Sequence, residues 1–234
     1  MTEEAWQTEI HPLPLIEFLW SRSSDRKLRL FAACCCCSIW KHLKKERSRA
    51  AVKASERYAE GMIGAEELLT FRDAAYAAFE EAPGGTLEEP LTMIAADAAL
   101  RDARQAASSA IDVADLIAHF AAYGQGDELP YSDERQAAYE ARKATEHTSQ
   151  CRLLRDIFGN PFRPVTLDPA WFTSDAVALA RGIYDERAFD RMPILADALQ
   201  DAGCDNDDVL THCRDTALTH VRGCWVVDLV LGKS

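Results

Sequence analysis

The chain has 234 residues, 48% of them hydrophobic, with a mean hydropathy of −0.22. That length supports a substantial core without disulfide staples, and only 11 glycines and 9 prolines exclude collagen-like and Gly/Pro-rich disordered chains. A net charge of −12 argues against a general nucleic-acid coat or an anionic-membrane binder.

The charge is unevenly spread. Between Arg22 and Arg57 there are eleven basic residues and three acids, a surplus of eight that leaves −20 on the rest of the chain. No apolar stretch reaches the roughly 20 residues that a membrane-spanning helix needs. The N-terminus, Met1-Thr2-Glu3-Glu4-Ala5-Trp6, is acidic and lacks the apolar core of an export signal. Of the eight cysteines, Cys34 to Cys37 are consecutive, a poor disulfide framework. Reduced thiols and a cytoplasmic location are expected, without membrane association.

In chain order, Ser23-Ser24-Asp25 predicts a helix start, running to about Leu43. Leu28, Phe31, Cys35, Ile39 and His42 form its apolar stripe. A second helix is expected over 46–60, stopping at Gly61, and a third from Gly64 to before Pro83-Gly84-Gly85. One long Ala-rich helix is expected over 89–122, closed by Tyr123-Gly124-Gln125-Gly126, and another over 132–158. Pro161 and Pro164 make 159–164 irregular. Thr173 or Ser174 then caps a helix to about Glu186. Another spans 190–202, with Pro193 in its first turn and Gly203 after its end. Asp205 or Asn206 caps a short helix to Arg214, and the last covers 221–231. Helical periodicity with no competing strand pattern predicts an all-α helical bundle. Its N- and C-terminal helices would surround an Ala-rich helical middle, with regions 1–158 and 159–234 packed as one unit.

Four segments carry a resemblance. They are Ser24-Asp25-Arg26-Lys27-Leu28-Arg29-Leu30-Phe31 with the cysteine run and Ile39-Trp40; Leu153 to Pro164, containing Phe158-Gly159-Asn160-Pro161-Phe162-Arg163-Pro164; Tyr184 to Leu199; and His220 to Leu229. Together they resemble a much-duplicated bacterial family of uncharacterised helical proteins in which helical ends flank a variable Ala-rich middle. The resemblance covers about half the chain and implies no activity. The family's Cys-Ala-Cys-Cys-Arg-Arg pattern is matched at Cys35 and Cys36. Ala33 and Cys34 are exchanged, and Cys37-Ser38 replace the Arg pair.

The strongest chemical lead is the C-terminal set Cys204, His212, Cys213, His220 and Cys224, because thiolate and imidazole together suit tetrahedral zinc. His220 and Cys224, four apart, can both face one way on a helix, and Cys35 or Cys36 could add a ligand across the fold. Set against zinc is the reading of these cysteines as small buried hydrophobes. Arg47, Arg49, Lys53 and Arg57 lie on one side of the second helix, as an interaction surface. That surface either meets nucleic-acid phosphates or docks against the chain's own acids, and the −20 elsewhere favours the acids. The buried-looking Asp228 calls for a partner such as Arg222 or Arg187. No phosphate loop, nucleophile elbow or His-Glu-x-x-His is present. The expected function is therefore a non-catalytic interaction or scaffolding module, with another protein as partner. The alternatives are a nucleic-acid binder acting through 22–57 and a zinc-dependent regulator or enzyme.

Overall fold

The computed structural model describes residues 1–124, 131–166 and 168–233. Among these residues every regular element is helical and none is a strand, so the fold is all-α. In chain order the helices are α1 (Glu3–Thr8), α2 (Pro12–Leu19), α3 (Asp25–Ser38), α4 (Glu46–Ala59), α5 (Ala65–Glu80), α6 (Glu88–Asp97), α7 (Ala103–Ser109), α8 (Val113–Tyr123), α9 (Asp133–Phe158), α10 (Ser174–Glu186), α11 (Met192–Asp201), α12 (Asp207–Arg214) and α13 (Trp225–Leu231). The chain divides into two compact units. One is Thr8–Cys151; the other joins Met1–Gln7 to Arg152–Ser234. The division falls inside α9, about two turns ahead of the Gly159 break.

In the first unit the Ser24 hydroxyl accepts from the Lys27 N–H and caps α3. This helix buries Leu28, Phe31, Ala32, Cys35 and Cys36. It ends at Ser38, short of the expected Leu43, and Ile39 to Leu43 continue as turns. Small side chains let α4, α5 and α6 approach closely. Ala51, Ala54, Ala75, Ala96 and Ala99 pack around Leu68 and Ile63.

The single long helix expected over 89–122 is three elements, α6, α7 and α8, with a 3-10 turn at Ala110–Asp112. Two side chains cause the break. Asp102 accepts from the Arg104 and Gln105 N–H groups and starts α7 as its cap. Arg29, 1% exposed, donates to the Leu100 carbonyl at 2.6 Å and to the Arg101 carbonyl. Those carbonyls are therefore satisfied outside a helical ladder. Of the expected terminator after Tyr123, Gln125 and Gly126 lie outside the described residues.

In the second unit, Thr173 caps α10 and Asn206 caps α12, while Pro193 occupies the first turn of α11. Ile183, Tyr184, Leu195, Leu199, Val209, Val226 and Val227 form its core. The last helix begins at Trp225, not near 221. The Cys224 N–H bonds the Val221 carbonyl at 2.9 Å, and Gly223 adopts φ +96°, a turn that only glycine enters freely. His220 consequently lies outside α13, and the face-sharing expected of His220 and Cys224 gives way to a turn.

Candidate metal centre

Asp156 sits in the last turn of α9, on the face that also buries Ile157. His212 comes from α12. His220 and Cys224 flank the turn into α13. One ligand atom from each of the four lies within 4.8 Å of the other three. His212 Nε2 is 3.3 Å from Cys224 Sγ and 3.2 Å from Asp156 Oδ1. His220 Nδ1 is 2.7 Å from the same Oδ1 and 3.8 Å from the same Sγ. Zinc bonds of about 2.0–2.3 Å place tetrahedral ligand atoms roughly 3.3–3.7 Å apart. Three of these distances already fall near that range. The fourth is a hydrogen bond that opens by about half an ångström when an ion takes the place of the proton.

The second carboxylate oxygen is occupied. Asp156 Oδ2 accepts from the Val221 N–H at 2.9 Å, which leaves Oδ1 to face the cluster. All four side chains are shielded: Asp156 is 2% exposed, His220 5%, His212 11% and Cys224 0%. Burial by itself would raise the Asp156 pKa, but hydrogen bonds and charge from His212 and His220 hold it below the usual carboxylate value. Burial pushes the Cys224 thiol well above its ordinary value, and the Asp156 charge adds to that.

The way the rings point bears on two chemistries. In a nucleophilic triad the base uses one ring nitrogen for the nucleophile and the other for the orienting carboxylate. Here each histidine presents a single nitrogen, Nε2 of His212 and Nδ1 of His220, to both the thiol and the carboxylate. That convergence suits an ion at the centre and offers no proton relay.

The structure thus brings together His212, His220 and Cys224 of the sequence-derived set and adds Asp156. Cys204 and Cys213 are buried among the core side chains of the same unit and are not part of the four-residue group. Burial raises the Cys213 pKa to about 12, with Asp156 and Cys204 contributing, so it remains a protonated core thiol. Cys35 and Cys36 lie in the core of the Thr8–Cys151 unit, also outside the group. Asp156 had a readable signal: an acid on the buried face of a helix, beside Ile157, requires a partner. Arg222 donates to the Tyr184 carbonyl at 3.2 Å and lies over that ring.

The basic residues of α4 meet acids and an indole of their own unit. Arg47 pairs with both oxygens of Glu81, just past the end of α5, and Arg57 lies 3.7 Å from Glu67 of α5. Arg49 and Lys53 each lie 5.5 Å from the Trp40 ring centre, and Lys53 is 4.0 Å from Glu46. No helix among the described residues is long and apolar enough to cross a membrane. Comparison of the chain with protein-family models, with curated proteins and with solved structures finds no match, so the geometry alone carries the functional reading.

Proposed function

We propose that the unit formed by Met1–Gln7 and Arg152–Ser234 is a zinc-binding module in which the metal is structural, within a non-catalytic protein that acts by binding another protein. The observation that carries this reading is the convergence of Asp156 Oδ1, His212 Nε2, His220 Nδ1 and Cys224 Sγ on one buried point. Charge supports a divalent ion. One carboxylate, one thiolate and two neutral imidazoles sum to −2, so a divalent cation makes the buried site neutral, whereas a monovalent or trivalent ion leaves a net charge inside. The mixed N, O and S donors favour zinc or cobalt over magnesium or calcium, which prefer oxygen. Four protein ligands, all shielded, leave no open position for a substrate, as in structural zinc sites. A reducing compartment suits a chain in which four of the eight cysteines, Cys34 to Cys37, are consecutive.

Elemental analysis of the purified protein tests this. One zinc per chain, a melting temperature lowered by chelation, and loss of the metal in His212→Ala and Cys224→Ser are expected. Metal-free protein whose melting is indifferent to both chelator and added zinc overturns the reading.

A further inference from the structure

We propose that helix α1 is a positioning element of the metal centre, with Trp6 and Gly159 setting the geometry of Asp156 and, through Trp225, of His212. The inference rests on the zinc reading and adds to it residues that touch no metal.

A helix of six residues is not stable alone in water, so α1 is held by what it touches. Its bonds converge on the residues around Asp156. Trp6, 1% exposed, donates its indole N–H to the Gly159 carbonyl at 3.1 Å. Arg155 Nε donates to the Trp6 carbonyl at 2.9 Å. The Glu3 carboxylate accepts from Asn160 Nδ2 at 2.8 Å and pairs with Arg163 at 2.5 Å. The ligand Asp156 is thus bracketed by Arg155 and Gly159, both tied to Trp6.

Gly159 passes this constraint onward. It closes α9 through its N–H to the Arg155 carbonyl, with φ +66°. A Cβ built there would lie 3.1 Å from Cγ and Cδ2 of Trp225, so any side chain would push that indole back by a few tenths of an ångström. Trp225 in turn packs on the His212 imidazole, with ring centres 5.1 Å apart and planes at 51°. One set of contacts therefore fixes the carboxylate at the end of α9 and the orientation of an imidazole on α12. This is how outer residues hold ligands at metal sites, where losing one costs about 10–100-fold in affinity.

Cobalt titration followed by absorption, at a temperature well below melting, tests the proposal. Trp6→Phe keeps an aromatic ring but removes the indole N–H that bonds Gly159, along with part of the ring volume, which the core control below accounts for. It is expected to weaken cobalt binding by about tenfold and to shift the thiolate-to-cobalt band. Gly159→Ala should displace Trp225 and do the same. Ile183→Val, a core truncation on α10, should lower melting while leaving affinity and spectrum at wild-type values. Wild-type affinity and spectrum in both Trp6→Phe and Gly159→Ala overturn the positioning role, as does an equal loss in Ile183→Val. A wild-type protein that takes up no cobalt overturns the zinc reading itself.

Discussion

Cys224 illustrates how burial and chemistry meet at one residue. Its raised pKa means that the thiol is protonated at neutral pH in the metal-free protein, yet zinc binds the thiolate. Each metal taken up must displace that proton, so affinity should rise with pH by up to about tenfold per unit from this group alone near neutrality. Calorimetry of zinc uptake in buffers of different ionisation enthalpy measures the released protons, and about one per zinc is expected from this thiol. His147 shows the same burial acting on a base. It is 7% exposed, with its ring 4.4 Å from that of His11. Burial, then the nearby His11 and Lys143, lower its pKa, with Asp115 opposing. The unfolded chain therefore takes up a proton first, and the stability tied to neutral His147 is present above about pH 6.5 and lost as pH falls through the lower folded value. His147→Phe should flatten the melting-temperature profile on the acidic side of pH 6.5. An unchanged slope would place the acid sensitivity at another group.

At the scale of elements, the caps and breaks at Ser24, Thr173, Asn206 and Pro193 were legible, because a side chain within three residues of each helix start settles them. The Ala-rich stretch was not. Asp102 is a local signal, but the break also depends on Arg29, whose partners Leu100 and Arg101 are about seventy residues away. Helices α1 and α2 were hidden for another reason: six and eight residues are too few to display a period. Of the four residues that converge, the two histidines and Cys224 were legible as candidates. Asp156 escaped because a lone acid in Leu-Leu-Arg-Asp-Ile-Phe gives no hint of which distant turn will face it. Cys204 and Cys213 misled because their spacing is equally compatible with a packed core. The Arg29 account is checkable. Arg29→Met would leave two backbone carbonyls without their donor, at about 1–3 kcal/mol for each that stays buried. Denaturant unfolding should show a loss of about 2–6 kcal/mol, and a loss below about 1 would mean that water replaces the guanidinium.

At the scale of the whole molecule, the division into Thr8–Cys151 and Met1–Gln7 with Arg152–Ser234 separates two kinds of stabilisation. The proposed metal centre lies wholly in the second unit. The basic face of α4 lies wholly in the first, where Arg47 meets Glu81 just past the end of α5, Arg57 meets Glu67 of α5, and Arg49 and Lys53 lie against Trp40. Two perturbations should therefore act on different helices. Removing zinc should speed amide hydrogen exchange in α10 to α13, because ligand binding free energy is folding free energy for the unit that holds it. Exchange in α3, α4 and α5 should stay as it was. Changing Arg47, Arg49, Lys53 and Arg57 together to Glu should do the opposite, loosening α4 and α5 while leaving zinc content at one per chain. The charge-reversal effect should shrink in salt, because exposed charges are screened over about 8–10 Å at physiological ionic strength; the chelation effect should not, since the ligands are buried. If instead the α4 face serves phosphate binding, the reversal leaves exchange in α4 and α5 nearly unchanged and abolishes a salt-dependent retention on immobilised nucleic acid. The bonds from Arg47 to both oxygens of Glu81 favour the first outcome, because that cation already has an anion in its own unit.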